Sequence, residues 1–126
     1  METNRITGEI VDASLSVHTT LGPGLLETAY EACLAYELRS RGFQVERQKS
    51  LPIVYGAIKL DCGYRLDLLV NDEVIVELKA IEFLKSIHHA QLLSYLRLSR
   101  KHIGLLINFH ELRLKDGIHR KINSPQ

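Results

Sequence analysis

Within the run VIVELKAIEF, residues 74–83, Glu77 and Lys79 stand two apart in an otherwise apolar, β-branched stretch. The pattern predicts a strand. Side chains on a strand alternate, so Glu77 and Lys79 share a face with Ile75, while Val74, Val76, Leu78 and Ala80 take the other. An acid and an amine are thereby held side by side on a strand that reads as buried. Charge removed from water needs a partner, a metal or a chemical task. The plainer alternative is a strand with one wetted face and both groups merely solvated, since short charged patterns are common.

A second acid raises the same question. Asp67 lies in GYRLDLLV, residues 63–70, beside Leu66, Leu68 and Leu69. Aspartate is a poor strand former and costly to bury. Either it pairs with Arg65 at a strand end, or it binds a hard cation. Mg2+ takes oxygen ligands and keeps several waters, so Asp67, Glu77 and the backbone carbonyl of Leu78 would suffice. Lys79 would then orient or deprotonate an attacking water, or stabilise charge on a phosphate.

Two helical patterns carry further candidates. In GLLETAY, residues 24–30, Glu27 falls in a first helical turn, where the dipole favours an acid, and Tyr30 shares its face. Gly22 and Gly24 around Pro23 allow close backbone approach, or simply make a turn. In HHAQLLSYL, residues 88–96, His88, Gln91 and Tyr95 form one stripe. Ala90, Leu93 and Leu96, with Leu92 as a further candidate, are expected to face the core, and His89 to point outward. Such a stripe is ordinarily a solvated face; beside a metal it would hydrogen-bond phosphate or the Lys and Glu of the site.

A cation shared by Asp67 and Glu77 constrains the hairpin between their strands. A two-residue loop, Asn71-Asp72, would pair Asp67 with Val76 and turn Glu77 to the opposite face. A three-residue loop, Asn71 to Glu73, pairs Val70 with Val74 and sets Asp67 opposite Glu77, their Cβ atoms about 5 Å apart. The three-residue connection is expected, or a two-residue one with a compensating β-bulge near Asp67. Asn and Asp tolerate the left-handed turn positions involved.

The elements that must position these groups follow from periodicity and breakers. Helices are predicted over about 3–20 and 25–41, the first ended by LGPG and the second by Gly42. Short strands follow over 43–49, 51–55, 58–61, 64–70 and 73–80, with turns at YGAI and VNDE. A third helix spans 86–99, a strand 103–109, and a tail strand 118–122 follows Asp116-Gly117. The order α, α, a run of β, α, β predicts an α/β fold with a mixed sheet. At 126 residues, one domain, residues 1–126, is the simplest organisation.

A formal charge of +1 provides no global attraction to nucleic acid, so any such binding must rest on local patches. Basic residues do cluster: Arg39, Arg41, Arg47 and Lys49; Arg97, Arg100 and Lys101; Arg120 and Lys121. Each cluster taken alone reads as a solvated face or helix end. Cys33 and Cys62 are too few and too far apart for a zinc cluster or disulfide framework, and read as free thiols in a reducing compartment. Neither a signal layout nor a run of membrane-spanning length is present, so a cytoplasmic protein without a membrane is expected.

Taken in order, Gly24-x-x-Glu27-x-x-Tyr30, GYRLDLLV, VIVELKA, HHAQLLSYL and GLLINF resemble the family named for its G-x-x-E-x-x-Y motif. That family is placed in the PD-(D/E)xK nuclease-like superfamily. The likeness runs from about Ile6 to about Ile122. It implies a restriction-endonuclease-like αβββαβ core, a mixed sheet flanked by helices, with an extra N-terminal helix. By position, Glu27 would be the acid of the core's first helix and Asp67 the signature Asp, with Leu66 where the name has Pro. Glu77 and Lys79 would be the E-x-K pair. Gln91 and Tyr95 resemble the Q-x-x-x-Y motif of RecB-type nucleases, which positions substrate, with Tyr30 and His88 as neighbours in that task.

The activity implied is Mg2+- or Mn2+-dependent hydrolysis of phosphodiester bonds in DNA, or alternatively RNA. Asp67, Glu77 and the Leu78 carbonyl would hold the ion, with Glu27 through a water. Arg97, Arg100 and Lys101 are expected at the nucleic-acid rim. Lacking a separate recognition domain, the chain would draw specificity from a homodimer or a recruiting partner. The rival is a non-catalytic nucleic-acid-binding or interaction module that keeps the fold.

Overall fold

A computed structural model describes residues 2–124. Helix α1, Glu2–Leu21, buries one stripe of Ile6, Ile10, Ala13 and Val17, the spacing of a helix with a single apolar face. It stops where Gly22 and Gly24 adopt φ of 74° and 97°, conformations a Cβ disfavours. Helix α2, Glu27–Ser40, buries Tyr30, Leu34, Ala35 and Leu38. The two helices are clamped by Arg41, which reaches Asp12 at 2.7 Å, Glu37 at 3.0 Å and Glu9 at 3.1 Å.

Five strands form the main sheet in the order β1-β4-β5-β6-β7: β1 Val45–Ser50, β4 Arg65–Val70, β5 Val74–Lys79, β6 Ile103–Asn108 and β7 Ile118–Ile122. Strands β2, Ile53–Tyr55, and β3, Ile58–Leu60, make a separate hairpin. Among the described residues only β5 and β6 run parallel, joined through helix α3, Ser86–Ser99; the other sheet neighbours are antiparallel. This is the mixed α/β sheet expected from the element order.

Each face of the sheet has its own core. Leu68, Val70, Val74, Val76 and Leu78 pack with α1 and α2, whereas Leu69, Ile75 and Leu106 pack with Leu92, Tyr95 and Leu96 of α3. Helix and sheet come close at Gly104, where a Cβ would lie 2.9 Å from Leu92. The first basic cluster is dispersed by the fold. Arg41 holds the helices together, Arg47 pairs with Glu31, Lys49 with Glu46, and Arg39 donates to the Val45 carbonyl. Cys33 and Cys62 are exposed free thiols. Among the described residues no helix is long and apolar enough to cross a membrane.

Candidate active site

The β4–β5 connection is the three-residue loop Asn71 to Glu73. Val70 pairs with Val74, and Asn71 and Asp72 take φ of 51° and 55°. The Glu73 amide closes the turn onto the Val70 carbonyl at 3.0 Å. This register brings Asp67 level with Glu77, but the ladder ends one position earlier, at Leu68 and Val76. Beyond that pair the acids take over the hydrogen bonding. The Asp67 amide donates to Glu77 Oε2 at 2.8 Å, and the Leu78 amide donates to Asp67 Oδ2 at 2.9 Å. The strands thus part into a fork with two carboxylates inside it. The N–H and C=O of one strand residue project to the same edge, so the Leu78 carbonyl faces the fork as well.

Glu77 is 4% exposed. Burial, and then the Asp67 carboxylate beside it, push its pKa up to about 9; the Asp67 amide and Lys79 oppose this without cancelling it. Glu27, half-buried in the first turn of α2, is raised by burial and next by Asp67, against Lys79. Lys79 reaches Gln91 Oε1 at 3.4 Å. Tyr95, buried and edge-on to Tyr64 at 6.2 Å between centroids, has its phenol raised by burial and then by Glu77 and Asp67. Glu27, Asp67, Glu77, Lys79, Gln91 and Tyr95 therefore gather at one place.

Other candidates are placed elsewhere. Tyr30 is fully buried, stacks on Phe109 at 4.6 Å, and locks the glycine turn: its hydroxyl donates to the Gly22 carbonyl at 2.5 Å and accepts from the Leu25 amide at 3.0 Å. It supports the chain leading to Glu27. His88 caps α3, accepting from the Lys85 amide at 2.9 Å through Nδ1. His89 does not point outward: it packs edge-on against His119 at 4.8 Å, its Nδ1 buried without a partner among the described residues. Burial, then Lys121, lower its pKa.

The expected rim bases are also displaced. Arg97, Arg100 and Lys101 follow α3 back to the start of β6, where Ile103 pairs with Val74, while the acids lie toward Lys79 and Asn108. Five strand steps, about 16 Å, separate these ends. Lys101 bonds the Asp72 side chain in the hairpin loop at 3.1 Å. The three bases, with His102 and Asn123, line a cavity of about 420 Å³ there.

Three residues that the sequence reading did not single out for the site border it. Glu31, one turn after Glu27 on α2 and 4% exposed, accepts from Arg47 Nε at 3.1 Å and from Gln48 Nε2 at 2.7 Å. Gln48 Nε2 also donates to Asp67 Oδ1 at 3.2 Å. Gln48 sits in β1 with φ of 52°, a left-handed conformation costing a non-glycine residue roughly 1–2 kcal/mol. Helical spacing puts Glu31 on the face of Glu27, a signal available in the sequence; the φ of Gln48 left none.

Among the described residues no three His, Cys, Asp or Glu side chains form a ready-made metal cage. A hard cation does not need one, because two carboxylates and a carbonyl complete their set with water. Two acids pressed together, one of them with its pKa raised by burial and by the other's charge, fit such an ion.

A mixed sheet flanked by helices, with two acids and an amine at the parting of two central strands, defines the α/β architecture around this candidate site. The family model of the PD-(D/E)XK nuclease superfamily matches residues 4–121, and the chain belongs to that superfamily. No curated protein and no solved structure matches the chain.

Proposed function

We propose that the protein is a divalent-metal-dependent nuclease that hydrolyses phosphodiester bonds of DNA, with RNA the alternative substrate. The observation that carries this reading is the meeting of Asp67 and Glu77 across the β4–β5 fork with Lys79 on the same strand. Asp67, Glu77 and the Leu78 carbonyl would hold Mg2+ or Mn2+, with Glu27 reaching it through a water. When bound, the cation acidifies a water and neutralises charge on the phosphate.

The side chains do the rest. Lys79, steadied by Gln91, stabilises charge on a phosphate oxygen. The Tyr95 hydroxyl, whose pKa is raised, stays protonated and is a hydrogen-bond donor toward the same group. Tyr30 and His88 act at a distance, by fixing the start of α2 and of α3. Within the superfamily, Gly24-x-x-Glu27-x-x-Tyr30 supports membership of the family named for that motif. Residues 1–126 act in this reading as one nuclease-like domain in the cytoplasm, with specificity supplied by a second copy or a recruiting protein.

The test is cleavage of single- and double-stranded DNA and RNA with Mg2+ or Mn2+, comparing wild type with Lys79→Ala. Metal-dependent cleavage lost in Lys79→Ala supports the reading. Nucleic-acid binding without cleavage by the wild type supports the non-catalytic module instead.

A further inference from the structure

Strand β1 keeps one register with β4 on both sides of Gln48: Arg47 pairs with Leu68 and Lys49 with Leu66. No residue is inserted, so this is not a bulge. Yet alternation fails on both strands at this level. Arg47 and Gln48 are consecutive, but both reach Glu31 on α2, which a regular strand forbids. Leu66 and Leu69 share the α3-side core although they stand three positions apart, which a regular strand would put on opposite faces. The left-handed φ of Gln48 is what redirects its amide.

From that conformation the amide uses both hydrogens of one nitrogen, toward Glu31 Oε1 at 2.7 Å and Asp67 Oδ1 at 3.2 Å. Glu31 is itself fixed by burial and by Arg47. A chain of contacts therefore runs from Arg47 through Glu31 and Gln48 to the one Asp67 oxygen that the Leu78 amide does not occupy. Gln48 is exposed, so the core does not demand its backbone strain. A glycine would adopt the same φ without penalty. Strain held by a side chain aimed at a candidate site is a sign of a task there.

We infer that Gln48, backed by Glu31, is a positioning residue that fixes the Asp67 carboxylate in the fork, ready for a cation. This rests on the reading of Asp67 as a metal ligand. The first half concerns the metal-free protein alone and is tested there. Gln48→Gly and Gln48→Ala are compared with wild type by NMR amide exchange, together with thermal melts.

If Gln48 holds Asp67, its loss frees the carboxylate. Exchange of the Leu78 amide should then accelerate about tenfold, as expected for losing a hydrogen bond to a charged group. Amides of the intact β5–β6 ladder should be unmoved, and Gln48→Gly should melt no lower than wild type. Unchanged Leu78 exchange in both variants overturns the assignment. So does a general rise across the sheet in Gln48→Gly, which would make the residue merely structural.

Calorimetric titration with Mn2+ tests the second half. Both variants should bind about tenfold more weakly than wild type, and affinity within twofold of wild type overturns the role. Absence of Mn2+ binding by the wild type would instead remove the metal reading and with it the cation-directed half, while amide exchange still decides whether Gln48 holds Asp67.

Discussion

Asp67 and Glu77 are tied by reciprocal contacts across the fork: the Glu77 carboxyl accepts from the Asp67 amide at 2.8 Å, and the Asp67 carboxylate accepts from the amide following Glu77 at 2.9 Å. Each acid thereby replaces a missing rung of the ladder. The cost is two carboxyl groups side by side, one almost wholly buried.

That cost is visible in pH dependence. The unfolded chain gives up the Glu77 proton near its ordinary value of 4.5, whereas the folded chain keeps it to about 9. The folded state then binds more protons, so this contribution to stability is full below pH 4.5 and is lost as pH rises toward and through 9. Glu77→Gln, which mimics the protonated form, should stabilise the metal-free protein at pH 8 by on the order of 1–3 kcal/mol. Melts at pH 5 and pH 8 check this, the gap widening at the higher pH. Destabilisation at both would mean that Glu77 is an ionised partner of Lys79.

The metal reading separates binding from chemistry. Asp67→Ala and Glu77→Ala should each abolish the Mn2+ heat seen by titration calorimetry. Lys79→Ala should keep that heat and lower the cleavage rate about 10²–10⁴-fold, the usual weight of a positioned catalytic side chain. Equal Mn2+ binding by wild type and the Asp67→Ala/Glu77→Ala double variant would take the metal out of the mechanism.

Tyr30→Phe removes one hydroxyl that serves two main-chain groups of the turn, the part-buried Gly22 carbonyl and the amide of the exposed Leu25. Losing the two contacts should cost about 0.5–1.5 kcal/mol, read as a lower urea midpoint. The stoichiometry of Mn2+ binding should not change, because the hydroxyl faces the turn. Loss of the Mn2+ site in a protein of wild-type stability would put Tyr30 in the site itself.

The contrast between Tyr30 and Asp67 shows which parts of the site the sequence made legible. Asp67 and Glu77 were readable because a strand has a strict period and the hairpin length sets its phase. Asn71 and Asp72 marked that length by accepting left-handed conformations. Tyr30 shares a helical face with Glu27, but a shared face does not tell which tip of a large side chain is wet. Gln48 and Glu31 were harder still. One depends on a backbone angle that glutamine rarely adopts, and the other is marked only by its helical spacing from Glu27. The outward direction expected of His89 fails because β7, which brings His119 against it, is remote in sequence.

Helix direction decides the last expectation. Arg97, Arg100 and Lys101 follow Gln91 and Tyr95 closely in sequence, which suggested the rim of the same site. However, α3 begins just after the acid end of β5 and returns along the sheet, and the nine residues from Gln91 to Arg100 advance about 14 Å away. Charge reversal of all three should therefore leave the turnover of a very short oligonucleotide within about twofold of wild type, since screened charges beyond a Debye length of about 8–10 Å act weakly. Lys101→Ala alone should cost at most about 1 kcal/mol of stability, the worth of a surface pair with Asp72. Steady-state kinetics on the short substrate decides the point. A large fall in kcat with an unchanged melting temperature would return these bases to the site and require the substrate to span the sheet from end to end.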